Sequence, residues 1–380
     1  MPMPMGTYAI LGFTGEVAIG VEQKLDPLSQ VFFTQELGIG TRIKVNHVDL
    51  IIGQCYVVQP CCGIKCLRAG FKRSKVSRNR KMQEAPYDDR DGVIWMDGEF
   101  VPWRDAKVHY LSHALHYASC VFEGMRAYNG EIFEVTAHNQ RLHDSADMLG
   151  FEIPYSVSEL DAISREALAK SGYQDAYLRP AAWRGPEQMG VSAQNCKIHV
   201  GLAVWQWPSY FTPEARMKGI KIDWAIYNRP DPKTQPVHAK AAGLYMICTL
   251  SKHAAEAKGY SDALMLDWRG QLAETTGANM FLVIDGKIHT PTADCFLNGI
   301  TRQTVIKLAK ARGYDVIERA LMPEELNNAS EMFVTGTAAE VTPIAQIADD
   351  HTFEVGEITR NLMQDYDNLV NGRAEAVAAE

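Results

Sequence analysis

The stretch Gln235-Pro236-Val237-His238-Ala239-Lys240-Ala241-Ala242-Gly243-Leu244-Tyr245 sets a single lysine among alanines and a glycine, with a tyrosine just beyond. A surface lysine keeps its ammonium in water, usually among polar neighbours. Lys240 instead has Ala239, Ala241, Ala242 and Gly243 beside it, small enough for a planar group to lie against the backbone. Taking an amine partly out of water weakens its preference for the charged form and makes it a better nucleophile toward carbonyls. Such a lysine can hold a cofactor aldehyde as a Schiff base. The plainer reading is a helix start whose small residues allow close packing. This window does not choose between them; the rest of the chain does.

At 380 residues the chain is long enough for two domains with their own cores. Its 46% hydrophobic and 22% charged content is that of an ordinary globular protein, and a net charge of -8 gives no reason to expect nucleic acid as a partner. No apolar run reaches membrane-spanning length; Val48–Val58, the nearest, carries Asp49 and Gln54. The start, Met1–Val21, lacks the basic lead-in of a secretory signal. Few and irregularly spaced cysteines outside the N-terminal segment fit a reducing cytoplasm.

Residues 1–85 differ from the remainder. Cys55, Cys61, Cys62 and Cys66 crowd together, and Lys65–Lys81 is strongly basic. The cysteine spacings match no standard zinc pattern and no histidine follows nearby, so no metal is expected. The basic run could touch nucleic acid or acidic lipid, but such runs are more often solvated tails. The segment reads as a poorly ordered extension, dispensable for the chemistry, with Met82 offering an alternative start.

From Tyr87 the pattern turns regular. Asp97-Gly98 joins Val93–Met96 to Glu99–Val101, Asn129-Gly130 joins Arg126–Tyr128 to Glu131–Phe133, and Asp285-Gly286 joins Met280–Ile284 to Lys287–Thr290. Each pair tolerates the two positive φ angles of a tight hairpin turn. Leu142, Ala146 and Leu149 recur at helical spacing before Gly150; a second helix runs from an N-cap at Ser158 through Leu160, Ile163 and Ala167 to Gly172. Strands are expected at Ala176–Arg179 and Ile198–Trp205, and Trp205–Pro213 reads as an interdomain connector. The second half opens with a strand at Ile220–Ala225, and the lysine stretch continues as a helix to Lys258 with Gly259 as its stop. Strands follow at Ala263–Asp267 and Glu331–Val334, with a helix opened by Gly299-Ile300-Thr301-Arg302 between them. These expectations give a small α+β domain over 86–203, a connector at 204–213, a large α/β domain over 214–367 and a tail at 368–380.

Two turns could hold an anion. Gly299-Ile300-Thr301 opens a helix, whose free N–H groups and positive dipole end favour a phosphate. Thr335-Gly336-Thr337-Ala338 offers amides and hydroxyls in the same manner. Either alone looks like an ordinary cap or turn.

Several separated motifs then bring a resemblance. They are Ser112-His113-Ala114-Leu115-His116-Tyr117, Val121-Phe122-Glu123-Gly124-Met125-Arg126, Arg141-Leu142-His143-Asp144-Ser145 and Tyr177-Leu178-Arg179-Pro180. Further along come Ala239-Lys240-Ala241, Glu274-Thr275-Thr276-Gly277, Gly299-Ile300-Thr301-Arg302 and Gly336-Thr337-Ala338-Ala339-Glu340. From Tyr87 to about Asp367 the chain resembles the branched-chain amino acid aminotransferases, pyridoxal-phosphate enzymes of fold type IV. The resemblance implies a two-domain fold, α/β and α+β, with the cofactor between the domains, and at least a homodimer. It implies a ping-pong, Schiff-base transfer of the amino group of L-leucine, L-isoleucine or L-valine to 2-oxoglutarate. Alternatives on the same fold are an aminodeoxychorismate lyase-like activity and a D-amino acid transaminase.

The same resemblance assigns roles. Lys240 would be the Schiff-base lysine and the base that moves the Cα proton, and Glu274 would face the pyridine nitrogen. Arg141, Ile300, Thr301 and Thr337 would hold the pyridoxal 5′-phosphate through its phosphate, and Tyr245 would bind the ring oxygen. On the substrate side, Phe122, Trp207, Tyr210 and Tyr245 would form an apolar box, with Tyr117 and Val191 entering from a neighbouring subunit. Arg179, helped by Tyr117, would take glutamate's second carboxylate; Tyr177 and the amides of Thr337 and Ala338 would take the α-carboxylate. Gly124 and Arg126, with Phe122, Tyr177 and Arg179, favour the branched-chain branch of the family. Ala278, where many bacterial relatives have a second acid, and the loop Trp183–Gln188 depart from its pattern.

Overall fold

Glycine frees the backbone where a hairpin must reverse in two residues. Asp97-Gly98 (φ 50° and 105°), Asn129-Gly130 (52° and 85°) and Asp285-Gly286 (50° and 73°) all take the two positive φ angles that the sequence predicts. The structure, a computed structural model, describes residues 86–207 and 217–373, with the backbone of four short strands nearer the N-terminus. Those strands pair antiparallel, Gly12–Phe13 with Glu16–Val17 and Arg42–Val45 with Val48–Ile51, within a separate unit, Met1–Gln83. The cysteine cluster, the basic run, Tyr210 and the connector beyond residue 207 lie outside the described residues.

The first sheet has seven strands: β1 (Val93–Met96), β2 (Glu99–Pro102), β3 (Cys120–Phe122), β4 (Met125–Tyr128), β5 (Glu131–Ile132), β6 (Ala176–Arg184) and β7 (Ile198–Gln206). Their order is β2-β1-β7-β6-β4-β5, with β3 also on β6, and every pairing is antiparallel. Pro180, inside β6, has no N–H to give the ladder. The facing strand breaks there: β4 pairs up to Leu178 and β3 resumes at Ala181. Glu123, at the break, donates its N–H to the Pro180 carbonyl at 2.8 Å and turns its side chain inward. Because β7 extends to Gln206, residues 204–206 of the expected connector belong to this sheet.

Helix α1 (His113–Tyr117) is short; α2 (Val135–Met148) and α3 (Val157–Ser171) supply the helical side of the core. Leu142 and Ala146 of α2, with Leu160, Ala167 and Leu168 of α3, pack with Leu178, Val200 and Leu202 of the sheet. A wholly buried leucine such as Leu142 is worth about 1.5–3 kcal/mol. Ser156, not Ser158, caps α3. Its hydroxyl accepts from the Glu159 N–H while the Glu159 carboxylate accepts from the Ser156 N–H, and only Ser156 stands at the spacing that allows this reciprocal pair.

The second sheet has nine strands: β8 (Ile220–Trp224), β9 (Asp262–Leu266), β10 (Leu272–Thr275), β11 (Asn279–Ile284), β12 (Lys287–Thr290), β13 (Val316–Glu318), β14 (Ala329–Gly336), β15 (Glu340–Ile347) and β16 (His351–Thr352). The order is β10-β9-β8-β15-β14-β11-β12-β13, with β16 on β15, and a Glu274–Asn279 pairing of β10 with β11 closes part of it into a ring. β8 runs parallel to β9 and β15, and β12 to β13. Its central strands are near-continuous apolar runs, as strands covered on both faces require. Helices α4 (Met246–Ala257), α5 (Ile300–Ala311) and α6 (Glu357–Val370) accompany this sheet. Phe281 and Phe333 stack at 4.9 Å in a core shared with Val305 of α5 and Leu362 and Tyr366 of α6. Helix α6 reaches Val370, so the expected tail at 368–380 begins as packed helix.

An antiparallel first sheet with its helices and a mixed second sheet make the fold the expected combination of α+β and α/β. The halves are tied by exchanged residues. Ala239, Ala241 and Leu244 sit in the core of the first half, and Tyr128 sits in a core of the second.

Candidate active site

Lys240 does not start a helix. Its segment lies extended beside β3: Phe122 N–H donates to the Lys240 carbonyl at 3.1 Å, and Ala241 bridges to Val121. The Lys240 N–H donates to Ser145 Oγ of α2 at 3.0 Å. A 3₁₀ turn, Ala242–Tyr245, then leads into α4. The small neighbours thus serve packing too, letting the segment wedge between the halves while the lysine side chain enters a cavity.

Within that cavity Lys240 Nζ donates to Tyr245 Oη at 3.0 Å and lies 5.2 Å from the Phe122 ring centre. Burial works to lower its pKa, as expected for an amine among alanines. Tyr245 and the carboxylate of Glu123 outweigh burial, so the ammonium stands above the ordinary lysine value. This corrects the expectation that burial alone weakens the charge.

Glu274, at the end of β10, also lines the cavity, which encloses about 590 Å³ with its open mouth included. Its carboxylate is buried against Arg229, whose Nε stands 3.3 Å from Oε1, and Asn279, whose Nδ2 donates to Oε2 at 3.1 Å. Burial nevertheless pushes the acid up to about 7, with Arg229 and Lys240 pulling the other way. An acid in that state is under-supplied with positive charge, which suits a cationic ring nitrogen.

The other end of the cavity suits an anion. Gly299 caps α5, and Ile300 and Thr301 open the helix at the cavity wall, with Thr337 also lining it. A Cβ on Gly299 would come within 2.3 Å of Asn279 Oδ1, which accepts the Gly299 N–H at 3.1 Å; only glycine fits this approach. Arg141 faces the same space from α2. Glu123 holds its Nε and Nη2 at 2.6 and 2.9 Å, while Nη1 is buried with no hydrogen-bond partner among the described residues. Thr335 Oγ1 is likewise buried and unpartnered. A lysine amine, a charge-starved acid and an unused guanidinium nitrogen beside a helix N-terminus fit an aldehyde, a ring nitrogen and a phosphate.

Of the described substrate-side residues only Tyr245 and Thr337 line this cavity; Phe122, Gly124, Tyr177, Arg179 and Trp207 lie outside its wall. Phe122 packs on Tyr245 at 5.0 Å, and the Arg179 guanidinium lies 4.9 Å from the Phe122 ring while donating to Tyr177 Oη at 3.2 Å. Tyr177 stacks on Trp205 and lies 5.0 Å from Trp207. Gly124 has to be glycine, since a Cβ would sit 1.9 Å from Tyr177 Oη. Arg126 does not line the cavity; it is buried in an ion pair with Glu340 at 3.4 Å. Ala338 is exposed on the turn between β14 and β15, Tyr117 is 45% exposed and Val191 87%, and none of the three lines the cavity of this chain. His113 joins the last two regions, stacking on Tyr117 at 4.5 Å and contacting the Gly190 carbonyl at 2.8 Å.

Several site residues had no role assigned from sequence: Glu123, His138, Arg229 and Asn279. The signal for Glu123 is an acid inside the apolar run Val121–Met125; for Asn279 it is the tight Thr275–Ala278 turn, which returns it opposite Glu274. Nothing local marks Arg229. Elsewhere, Asp267, Asp294 and Cys295 form the one grouping of potential metal ligands among the described residues, but Arg269 already bridges its two acids. No helix among the described residues is long and apolar enough to cross a membrane.

Comparison with known proteins agrees with the geometry. The amino-transferase class IV family profile matches residues 120–347. A branched-chain-amino-acid aminotransferase of Pseudomonas aeruginosa is 42% identical over 76% of this chain and 96% of its own length, and that of Escherichia coli (strain K12) is 39% identical over 74% and 94%. A crystal structure of the T.th. branched-chain amino acid aminotransferase with pyridoxamine 5′-phosphate matches at 39% identity with a TM-score of 0.73, covering 75% of this chain and 96% of that one. The chain belongs to the class IV aminotransferases and, within them, to the branched-chain-amino-acid aminotransferases.

Proposed function

We propose that this aminotransferase uses pyridoxal 5′-phosphate to move the amino group of L-leucine, L-isoleucine or L-valine to 2-oxoglutarate, in two half-reactions at one site. The observation that carries the proposal is one cavity that gathers Lys240, the acid Glu274 and the unpartnered Arg141 Nη1 at the start of α5. When bound there, the cofactor supplies an aldehyde that condenses with amines and a ring that takes up the electrons released at the substrate Cα.

The chain's own residues do the remainder. Lys240 Nζ would hold the cofactor through its aldehyde and would carry the proton to and from the substrate Cα. Glu274 would keep a proton on the ring nitrogen, and Tyr245 would orient the ring oxygen. Arg141, Ile300, Thr301 and Thr337 hold the phosphate. Phe122, Tyr245 and Trp207 would enclose a branched side chain, a role the sequence also suggests for Tyr210. Arg179 binds the second carboxylate when glutamate takes its place. Tyr177, with the Thr337 and Ala338 amides, takes the α-carboxylate, and Gly124 leaves Tyr177 room. Arg126 supports the site through Glu340.

We place the cofactor between a small domain, whose sheet extends to Gln206, and a large one that opens after residue 213 and ends with the helix reaching Val370. Tyr117 and Val191, exposed here, would complete the site of a second subunit in a homodimer or larger assembly. Four free thiols among the described residues, Cys120, Cys196, Cys248 and Cys295, support a reducing cytoplasm.

The deciding assay supplies L-leucine and 2-oxoglutarate to the purified protein and follows glutamate. Glutamate formation at a rate far above that with D-alanine as donor is expected. No transfer, together with pyruvate release from aminodeoxychorismate, would replace this reading with a lyase.

A further inference from the structure

We infer that Glu123, backed by His138, is the positioning residue that aims the Arg141 guanidinium at the cofactor phosphate; the inference rests on the function proposed above. The argument begins at Pro180. Its missing N–H interrupts the strand beside β6 without shifting the register, so Glu123 keeps to the same inner face as Val121 and Met125, two residues to either side, and is wholly buried. Burial alone would raise its pKa, but the Arg141 guanidinium and His138 hold it well below the usual carboxylate range, so it is charged.

Both carboxylate oxygens are engaged. Oε1 accepts from Arg141 Nε at 2.6 Å; Oε2 accepts from Arg141 Nη2 at 2.9 Å and from the Gly124 N–H at 3.2 Å, and meets His138 Nδ1 at 2.7 Å. A guanidinium is planar and rigid, so a fork on two of its nitrogens fixes the direction of the third. That third nitrogen, Nη1, is the buried and unpartnered one, on a residue that lines the cavity with Ile300 and Thr301. Glu123 therefore contributes direction to the phosphate site. Its negative charge by itself opposes the phosphate.

This opposition gives the test a sign. If only net charge mattered, Glu123→Gln would tighten phosphate binding by removing a nearby negative charge. If Glu123 positions Arg141, the same change loosens it, because a glutamine amide cannot accept both N–H groups of the fork. The experiment titrates the cofactor-free wild type and Glu123→Gln with pyridoxal 5′-phosphate and, separately, with pyridoxal, which lacks the phosphate. Binding is followed by visible absorption.

The expected result is a fall of about tenfold or more in the affinity advantage of pyridoxal 5′-phosphate over pyridoxal; the effect of the lost charge on Lys240 falls on both compounds and cancels in that ratio. An unchanged or larger advantage overturns the inference, and so does an equal loss for both compounds, which marks a general disturbance of the fold. Should Glu123→Gln fail to fold, Glu123→Asp keeps the charge but withdraws the fork; a smaller fall in the same ratio is expected, and an unchanged ratio overturns the inference. A wild type that binds neither compound sinks the proposed function and this inference together, whereas normal wild-type binding with an unaltered variant ratio sinks the inference alone.

Discussion

Glu123 and Glu274 are buried carboxylates that flank Lys240 from the two halves of the fold, and burial pushes the pKa of both upward. They end with pKa shifts of opposite sign. Glu123 has a two-pronged arginine and a histidine within 3 Å and stays charged. Glu274 has one guanidinium nitrogen at 3.3 Å and one neutral amide, and its pKa remains near 7. A buried acid satisfied within the chain organises protein groups; an under-supplied one marks where a cation from outside the chain belongs. The first half of the fold is thus built to orient, and the second to receive.

Lys240 lies between these acids, and each helps to hold its charge or is held by it. Its loss is the harshest way to break the contrast. Lys240→Ala should abolish the change in visible absorption that the wild type produces in added pyridoxal 5′-phosphate and cut turnover by about 10²–10⁴-fold or more. A normal absorption band in the variant would remove the lysine from the centre of the site.

Next in size comes the pair on the receiving side. Arg229 is buried between Glu274 and Cys248, with Nη1 3.6 Å from the thiol sulfur. Arg229→Leu should destabilise the protein by up to roughly 3 kcal/mol, since it leaves a buried acid without its cation. The cost is limited because Glu274 can escape by taking a proton. Combining the change with Glu274→Gln should therefore cost less than the two single losses added together, by about 1 kcal/mol in denaturant unfolding. Strict additivity would mean that Arg229 supports the fold without acting on Glu274.

The two sides also differ in how far the sequence disclosed them. The Asx-Gly turns were legible because their chemistry is local: few residues other than that pair accept two positive φ angles. The lysine stretch was legible because its small neighbours are adjacent in the chain. Ser156 was a near miss, two residues from the expected cap, and the spacing to Glu159 decides it. Strand β15 went unread because Pro343 interrupts Val341–Ile347; the proline is tolerated because the parallel pairing with β8 begins at Ile344. Glu123 belonged to a recognised motif, but its work depends on partners 15 and 18 positions away on another element. Arg229 depends on a strand end meeting a hairpin, which no window of sequence contains.

The smallest effect separates the acids by pH. Glu123 has a depressed pKa, so its contribution to stability is present above the ordinary carboxylate range and is lost progressively as pH falls from that range to the depressed folded value. Glu274 has the reverse sign. Raised from 4.5 to about 7, it binds its proton more tightly folded than unfolded. Its contribution is complete below 4.5 and is lost as pH climbs through 7. Unfolding of the cofactor-free protein should therefore show a decline in stability across that upper window, no steeper than about 1.4 kcal/mol per pH unit for one group. Glu274→Gln should flatten the decline, because glutamine does not titrate, and pyridoxal 5′-phosphate should flatten it in the wild type by supplying the missing cation. Histidines titrating in the same window affect wild type and variant alike, so the difference between the two curves isolates position 274. If the glutamine variant declines as steeply as the wild type, Glu274 is adequately paired within the chain, and the contrast between an orienting and a receiving side fails.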